Sequence, residues 1–208
     1  GVPAKGAFPS SFSYGNDAVE TVSYDPDGAK KLLEESGWAD TDGDGYVDKD
    51  GQKLTINWLT YPTRLEQPKL AEYAQATLKD IGIDVVVNNT SDHMTIAKSG
   101  DFDVYVSSTT TAPTGDPEYF FTSTVTGAKN YGKYQNEEVT KLTDQLHQTF
   151  DKDERAKLAV ELQQDILDDD AFFFVSHLNM GIVTKSNVTG MAAHPCDYYE
   201  ITADLDVE

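Results

Sequence analysis

A chain of 208 residues has room for one large or two small domains around a buried core. Its 38% hydrophobic content, with 11 Tyr, 9 Phe and 2 Trp, excludes an intrinsically disordered chain, and no apolar run nears the roughly 20 residues that span a bilayer. A net charge of -20 repels nucleic acid and anionic lipid and suits an extracytoplasmic protein or one that attracts cations, while the single Cys196 excludes an internal disulfide or a multi-Cys zinc site.

Residues 1–24 show no helical period and read as an extended, turn-rich segment. The opening GVPAKGAFPSS lacks the basic and apolar regions of a signal peptide, and a fragment of a longer protein is expected. Asp25-Pro26 then starts a helix, with Asp25 as N-cap and Pro26 in the first turn. Ala29, Leu32 and Leu33 form its apolar stripe, and Gly37 stops it.

The aspartate-rich stretch 40–51, DTDGDGYVDKDG, follows. Asp40, Asp42, Asp44 and Gly45 reproduce the first half of a calcium loop, in which a hard cation takes oxygen ligands at alternate positions. Asp48 and the Tyr46 carbonyl extend the set, but Gly51 stands where the bidentate Glu belongs. A weakly held structural calcium is therefore one reading, and a hairpin loop with solvated carboxylates is the favoured other. Residues 49–52, Lys-Asp-Gly-Gln, have the composition of a tight hairpin turn.

Residues 53–59 alternate as a strand, and 68–81 form an amphipathic helix with Leu70, Tyr73, Ala74, Thr77, Leu78 and Ile81 on one face. The apolar run 83–87 predicts a strand buried on both faces. A short helix over 93–98 and a strand over 102–107 complete a strand–helix alternation, which predicts an α/β layered domain. After a loop at 108–115 and an aromatic-rich irregular stretch to residue 134, Asn136 and Asp151 cap two helices. Their apolar sides are Val139, Leu142, Leu146 and Leu158, Leu162, Ile166, Leu167. Strands are predicted over 171–176 and 181–184.

Five segments in this order, LLEESGWADTDGDGYVDKDGQKLTINWLTY, AEYAQATLKDIGIDVVV, GDPEYFF, NYGKYQNEEVTKL and DKDERAKLAVELQQDILDDDAFFF, resemble the C-terminal part of substrate-binding proteins of peptide and nickel ABC importers, solute-binding protein family 5. The ending NVTGMAAHPCDYYEITADL is more similar to the nickel or metal-chelate branch. The resemblance implies a layered mixed sheet with flanking helices, the second lobe of a periplasmic-binding-protein-like type II fold. Residues 1–176 would be the ligand-binding lobe and 177–208 a tail returning toward a first lobe. It also implies an extracytoplasmic receptor, periplasmic or a cell-surface lipoprotein, delivering nickel, another chelated metal or a peptide to an ABC permease. No cofactor is required, and a monomer is expected.

In the family one cleft wall comes from the loop equivalent to 109–121. Peptide-binding members usually carry an Asp three residues before the Asp-Pro pair, to hold the ligand's ammonium group; here Pro113 stands there. Some nickel members place a His about a dozen residues after that pair, where this chain has Thr126, Gly127, Ala128 and Lys129. The expected ligand set is therefore Tyr61, Thr111, Thr114, Tyr119, Phe120, Lys129, Asn130 and Tyr131. Within it Lys129, Asn130 and Tyr131 would hold the carboxylates of a chelator. Asp116-Pro117 reads as a helix start. His93 and His147 read as satisfied helix-surface residues and His177 as a strand end; Pro195 makes His194 and Cys196 a turn rather than a soft metal pair.

Two other classes compete. An enzyme is not expected, since the chain has no nucleophile elbow, paired His ligands or phosphate-cradling glycine loop, and helix faces and caps account for most of its carboxylates. A calcium-dependent structural domain is the remaining alternative.

Overall fold

The computed structural model describes residues 1–194 and 201–208. Strand β1 (Val2–Pro3) leads into a 3-10 turn at Asn16–Ala18. Then come helix α1 (Pro26–Glu35), strands β2 (Asp48–Lys49), β3 (Gln52–Lys53) and β4 (Thr55–Thr60), and helix α2 (Glu66–Lys79). Strand β5 (Asp84–Asn89), helix α3 (His93–Ser99) and strand β6 (Val104–Tyr105) follow. Helix α4 (Glu118–Phe120) runs directly into a π-helical turn at Phe121–Val125, ahead of α5 (Glu137–Gln148) and α6 (Lys152–Asp168). Strands β7 (Ser176–His177), β8 (Val188–Thr189) and β9 (Asp206–Val207) come last. The chain divides into two units, Ser23–Thr109 and the combination of Gly1–Val22 with Thr110–Glu208. Parallel and antiparallel pairings both occur, in separate sheets.

In the unit Ser23–Thr109, β4 is the centre of a parallel sheet of order β5-β4-β6, with Trp58 opposite both Val87 and Val104. Parallel neighbours need crossovers, and α2 and α3 supply them. Leu59, Ala71, Ile83, Val85 and Ala97 are buried. The run 83–87 does not lie between two covered faces as expected. Strand β5 is an edge strand, and Val86 is 48% exposed. The expected apolar faces of the helices are also trimmed: Leu32 is exposed on α1, and on α2 Tyr73 is exposed while Gln67 and Ala71 are buried. The Asp25 cap is present, its Oδ1 accepting from Gly28 N at 2.9 Å. Strands β2 and β3 form the expected hairpin, with φ of 54° at Asp50 and 75° at Gly51. Two consecutive positive φ values are what the twist of a two-residue hairpin turn demands.

In the other unit, α5 and α6 pack around one core. Val139, Leu142, Leu146, Leu158, Leu162 and Ile166 come from these helices, Phe120, Phe121 and Val125 from the turn before them, and Ala7, Phe8 and Tyr14 from the first residues. Phe8 meets Tyr14 edge-on at 4.9 Å and Phe120 at 5.9 Å. Burying one such ring contributes roughly 1.5–3 kcal/mol, which is why an aperiodic segment holds one place. Gln163 is fully buried and completes the attachment: its Oε1 accepts from Ala7 N at 3.0 Å, and its Nε2 donates to Tyr14 O at 2.8 Å. Asn136 and Asp151 cap α5 and α6 as expected.

The strand predicted over 171–176 shrinks to Ser176–His177, because β1 offers only two residues to pair with. Phe172 and Phe174 still pack on the core while Phe173 between them is 78% exposed. Residues 181–184 lie in no strand. Cys196, and with it the His194–Cys196 pair, lies outside the described residues.

Candidate functional site

The loop expected to face a ligand is built from the Asp116-Pro117 start. Asp116 Oδ1 accepts from Glu118 N at 2.9 Å, which sets α4 in motion at the next residue. Phe120 and Phe121 then turn into the core, 1% and 0% exposed, so Phe120 is a packing ring and not the cleft-wall ring expected of it. Tyr119 points the other way and is 38% exposed. The π-helical turn after it is closed by Thr126 N donating to Phe121 O at 2.9 Å and Lys129 N donating to Ser123 O at 2.8 Å. Only glycine fits at 127, because a Cβ there would collide with the carbonyl of Thr122. That return brings Lys129 back onto Tyr119: its Nζ donates to the phenol oxygen at 2.9 Å and lies 5.1 Å from the ring centroid.

The remaining loop candidates divide by environment. Asn130 holds Tyr134 twice, its Oδ1 accepting from Tyr134 N at 2.9 Å and its Nδ2 donating to Tyr134 O at 2.8 Å. Its amide braces the loop and is not the ligand donor expected. Thr111 and Tyr131 are half-buried, Thr114 is exposed, and Pro113 is buried. Tyr14 supports the same loop, donating from its hydroxyl to Gly115 O at 2.7 Å.

Sequence reasoning missed the ion network beneath this loop. Arg155 clamps Asp116 with Nε and Nη2 at 2.9 and 2.6 Å and reaches Glu118 Oε2 at 2.9 Å. His147 Nδ1 lies 2.6 Å from Glu118 Oε1, so this helix histidine is satisfied by a carboxylate. Burial pushes the Glu118 carboxyl up, but hydrogen bonds and charge from Arg155 and His147 outweigh it and hold the group below its ordinary value. The one available signal was scarcity: Arg155 is one of two arginines in the chain. A shallow groove of about 510 Å³ lined by Glu20, Val22, Leu167, Asp168, Phe172 and Phe173 contains none of the candidates.

Tyr61 belongs to the unit Ser23–Thr109, directly after β4, at the carboxyl end of the parallel sheet. Such ends are where open α/β sheets bind ligands. It is 7% exposed, its ring stacks on His93 at 4.1 Å, and its hydroxyl accepts from Ser108 N at 3.1 Å. His93, expected on a helix surface, is half-buried and has Nδ1 2.7 Å from the Tyr105 hydroxyl. In the same unit, carboxylate oxygens of Asp40, Asp42 and Asp48 lie within 4.8 Å of one another. Asp44 is outside that cluster and lies 4.0 Å from Lys53 instead, and the Tyr46 ring lies under the same ammonium at 4.4 Å. The loop's carboxylates also accept from its own backbone: Asp40 from Gly43 and Gly45, Asp42 from Asp44, Asp44 from Tyr46, Asp48 from Thr41. The Thr41 side chain and backbone bonds hold the Asp48 carboxyl below its ordinary value.

Comparison with known proteins gives one consistent result. A family model described as bacterial extracellular solute-binding proteins, family 5 Middle, matches residues 1–132. The oligopeptide-binding protein AppA of Bacillus subtilis (strain 168) is 30% identical over 200 residues, covering 93% of this chain and 37% of that protein. The nickel-binding periplasmic protein of Escherichia coli (strain K12) is 26% identical over 197 residues, covering 90% of this chain and 37% of that protein. The solved structure of AppA from Bacillus subtilis in complex with a nonapeptide superposes with a TM-score of 0.80 at 25% identity, over 96% of this chain and 41% of that one. The chain thus spans little more than a third of the length of these curated relatives.

Proposed function

Since the chain belongs to the bacterial extracellular solute-binding proteins of family 5, we propose that it is part of the extracytoplasmic receptor of an ABC importer, which recognises cargo and hands it to a membrane permease. The observation that carries this reading is the family match over residues 1–132. The cargo is a carboxylate-bearing chelate of nickel or another metal. Lys129, held against the exposed Tyr119, is the donor for its carboxylate, and Thr111, Thr114 and Tyr131 of the same unit are further contacts. Pro113, buried where peptide-binding members usually carry an ammonium-holding Asp, favours a chelate over a peptide. The protein acts without chemistry on its cargo and as a monomer, anchored as a lipoprotein or free in the periplasm. Residues 1–176 serve as the ligand lobe and 177–208 as the returning tail. No helix among the described residues is long and apolar enough to cross a membrane.

An oligopeptide is the second reading, favoured by the 30% identity to AppA. Calorimetric titration of the intact receptor with nickel–histidine, a metallophore complex and a peptide mixture separates the two. Heat from peptides alone sinks the chelate reading, and no heat from any probe sinks both. A calcium ion at Asp40, Asp42 and Asp48 is a structural accessory in this account, weak for want of a bidentate Glu. Melting with calcium and then with chelator tests it, since an ion that prefers the folded state raises Tm; superimposable curves remove the ion.

A further inference from the structure

We infer that Arg155 is the positioning residue of the ligand loop: through Asp116 and Glu118 it fixes the segment that carries Tyr119 and Lys129. This rests on the proposed role of that loop in cargo recognition.

Arg155 sits in the first turn of α6 with its side chain 14% exposed, and every N–H of its guanidinium is used. Nη1 donates to Leu146 O and Thr149 O, both at 2.6 Å. These carbonyls lie at the end of α5, where helical donors run out; Leu146 O otherwise accepts from the Thr149 N–H at 3.2 Å. Nε and Nη2 grip both oxygens of Asp116, and Nη2 also takes Glu118 Oε2. The second oxygen of Glu118 goes to His147 Nδ1. Both carboxylates that open α4, three residues and one residue before Tyr119, are thereby held from the helical pair. On the other side of Tyr119, Phe120 and Phe121 are locked in the core. With the backbone fixed before and after it, Tyr119 has one direction available, and Lys129 docks onto it at 2.9 Å. A planar fork is needed here; an ammonium group has three donors and no matching plane.

The contact has two halves, and they can be separated. Asp116→Asn keeps an Oδ1 to accept from Glu118 N and leaves the Leu146 and Thr149 carbonyls with Arg155. It removes the charged grip on Asp116 and leaves the bond from Arg155 to Glu118. Hydrogen exchange on the full chain should then show residues 118–131 exchanging about tenfold faster, the factor that goes with one lost charge-assisted hydrogen bond. Amides of α5 and α6 should keep their wild-type rates. Arg155→Lys should reproduce the loop effect, and the double variant should be no worse than the stronger single one, because both act on one contact. A loop as protected in Asp116→Asn as in wild type overturns the assignment. So does equal acceleration of α5 and α6, the mark of a helix clamp with no specific hold on the loop.

Calorimetry supplies the second readout, with nickel–histidine and a nonapeptide as probes on the intact receptor. For whichever probe the wild type binds, Asp116→Asn should raise Kd about tenfold while Tm falls by only a few °C, leaving the protein folded at the assay temperature. An unchanged Kd overturns the inference. If wild type binds neither probe, the proposed cargo fails, and the exchange rates alone decide the role of Arg155.

Discussion

Gln163→Leu should destabilise the protein far more than its conservative volume suggests. The side chain is fully buried, and its three hydrogen bonds go to Ala7 N, Tyr14 O and Ala159 O. The Ala159 carbonyl lies inside α6 and keeps a helical partner, so it loses little. The Ala7 N–H belongs to a residue only 3% exposed and would be left without its acceptor, while the Tyr14 carbonyl, on a residue 6% exposed, loses the amide donor. An orphaned buried N–H costs about 1–3 kcal/mol and a lost hydrogen bond about 0.5–1.5 kcal/mol, giving about 1.5–4.5 kcal/mol before correction. The leucine's extra apolar contact returns roughly 1 kcal/mol, so the net loss is about 0.5–3.5 kcal/mol. For a chain of this size each kcal/mol moves Tm by roughly 2–4 °C. The neighbouring Gln164 is the control: it also bonds the first segment, accepting from Glu20 N at 3.0 Å and donating to Glu20 O at 3.2 Å, but in an exposed setting. Water replaces those bonds, so Gln164→Leu should cost under about 1 kcal/mol. Urea unfolding monitored by circular dichroism measures both. Equal losses in the two variants, or a Gln163→Leu protein as stable as wild type, would refute the argument that burial of the orphaned groups sets the cost.

Lys129→Met should weaken binding of a carboxylate-bearing chelate by about tenfold, with Tyr119→Phe smaller, and calorimetry that finds Lys129→Met binding unchanged removes Lys129 from the site. The Glu118 carboxyl is held below its ordinary value of 4.5 in the folded protein, so its contribution is complete above that value and drains away as pH falls through the lower folded one. Glu118→Gln should therefore flatten the loss of Tm as pH falls below about 4.5, and an acid slope equal to wild type counts against the ion network. Gly127→Ala should cost about 1–3 kcal/mol, since the new Cβ must displace the Thr122 carbonyl and open the turn that returns Lys129 to Tyr119. A stable, fully protected Gly127→Ala loop would show that this turn is not tightly determined.

Local chemistry was readable from the chain alone wherever a few neighbouring residues decide the outcome. Asp25, Asn136 and Asp151 cap helices because their short carboxylate or amide side chains reach backbone N–H groups two or three residues on. Asp50-Gly51 turns a hairpin because those residues tolerate positive φ. The alternation of strands and helices over 53–107 predicted a layered α/β domain, which the structure realises as a parallel sheet with crossover helices, and five ordered segments pointed to the family. Site residues were less legible. Tyr119 and Phe120 are adjacent and aromatic, and nothing local tells which enters the core; the helical turn sends one each way. Asn130 is as plausible a ligand donor as Lys129 until Tyr134 is found occupying both ends of its amide.

By itself the sequence determined the helices, the strands between residues 53 and 107, the helix caps and hairpin turn, and the family, since these depend on contacts within a few residues or on a pattern of order. Only the tertiary structure decided that Phe8 and Tyr14 are core, that β5 is an edge strand, that Gln163 bonds the first segment and that Arg155 bonds Asp116 and Glu118. Those contacts join residues as far apart as 156 positions, and no local propensity encodes such a pairing.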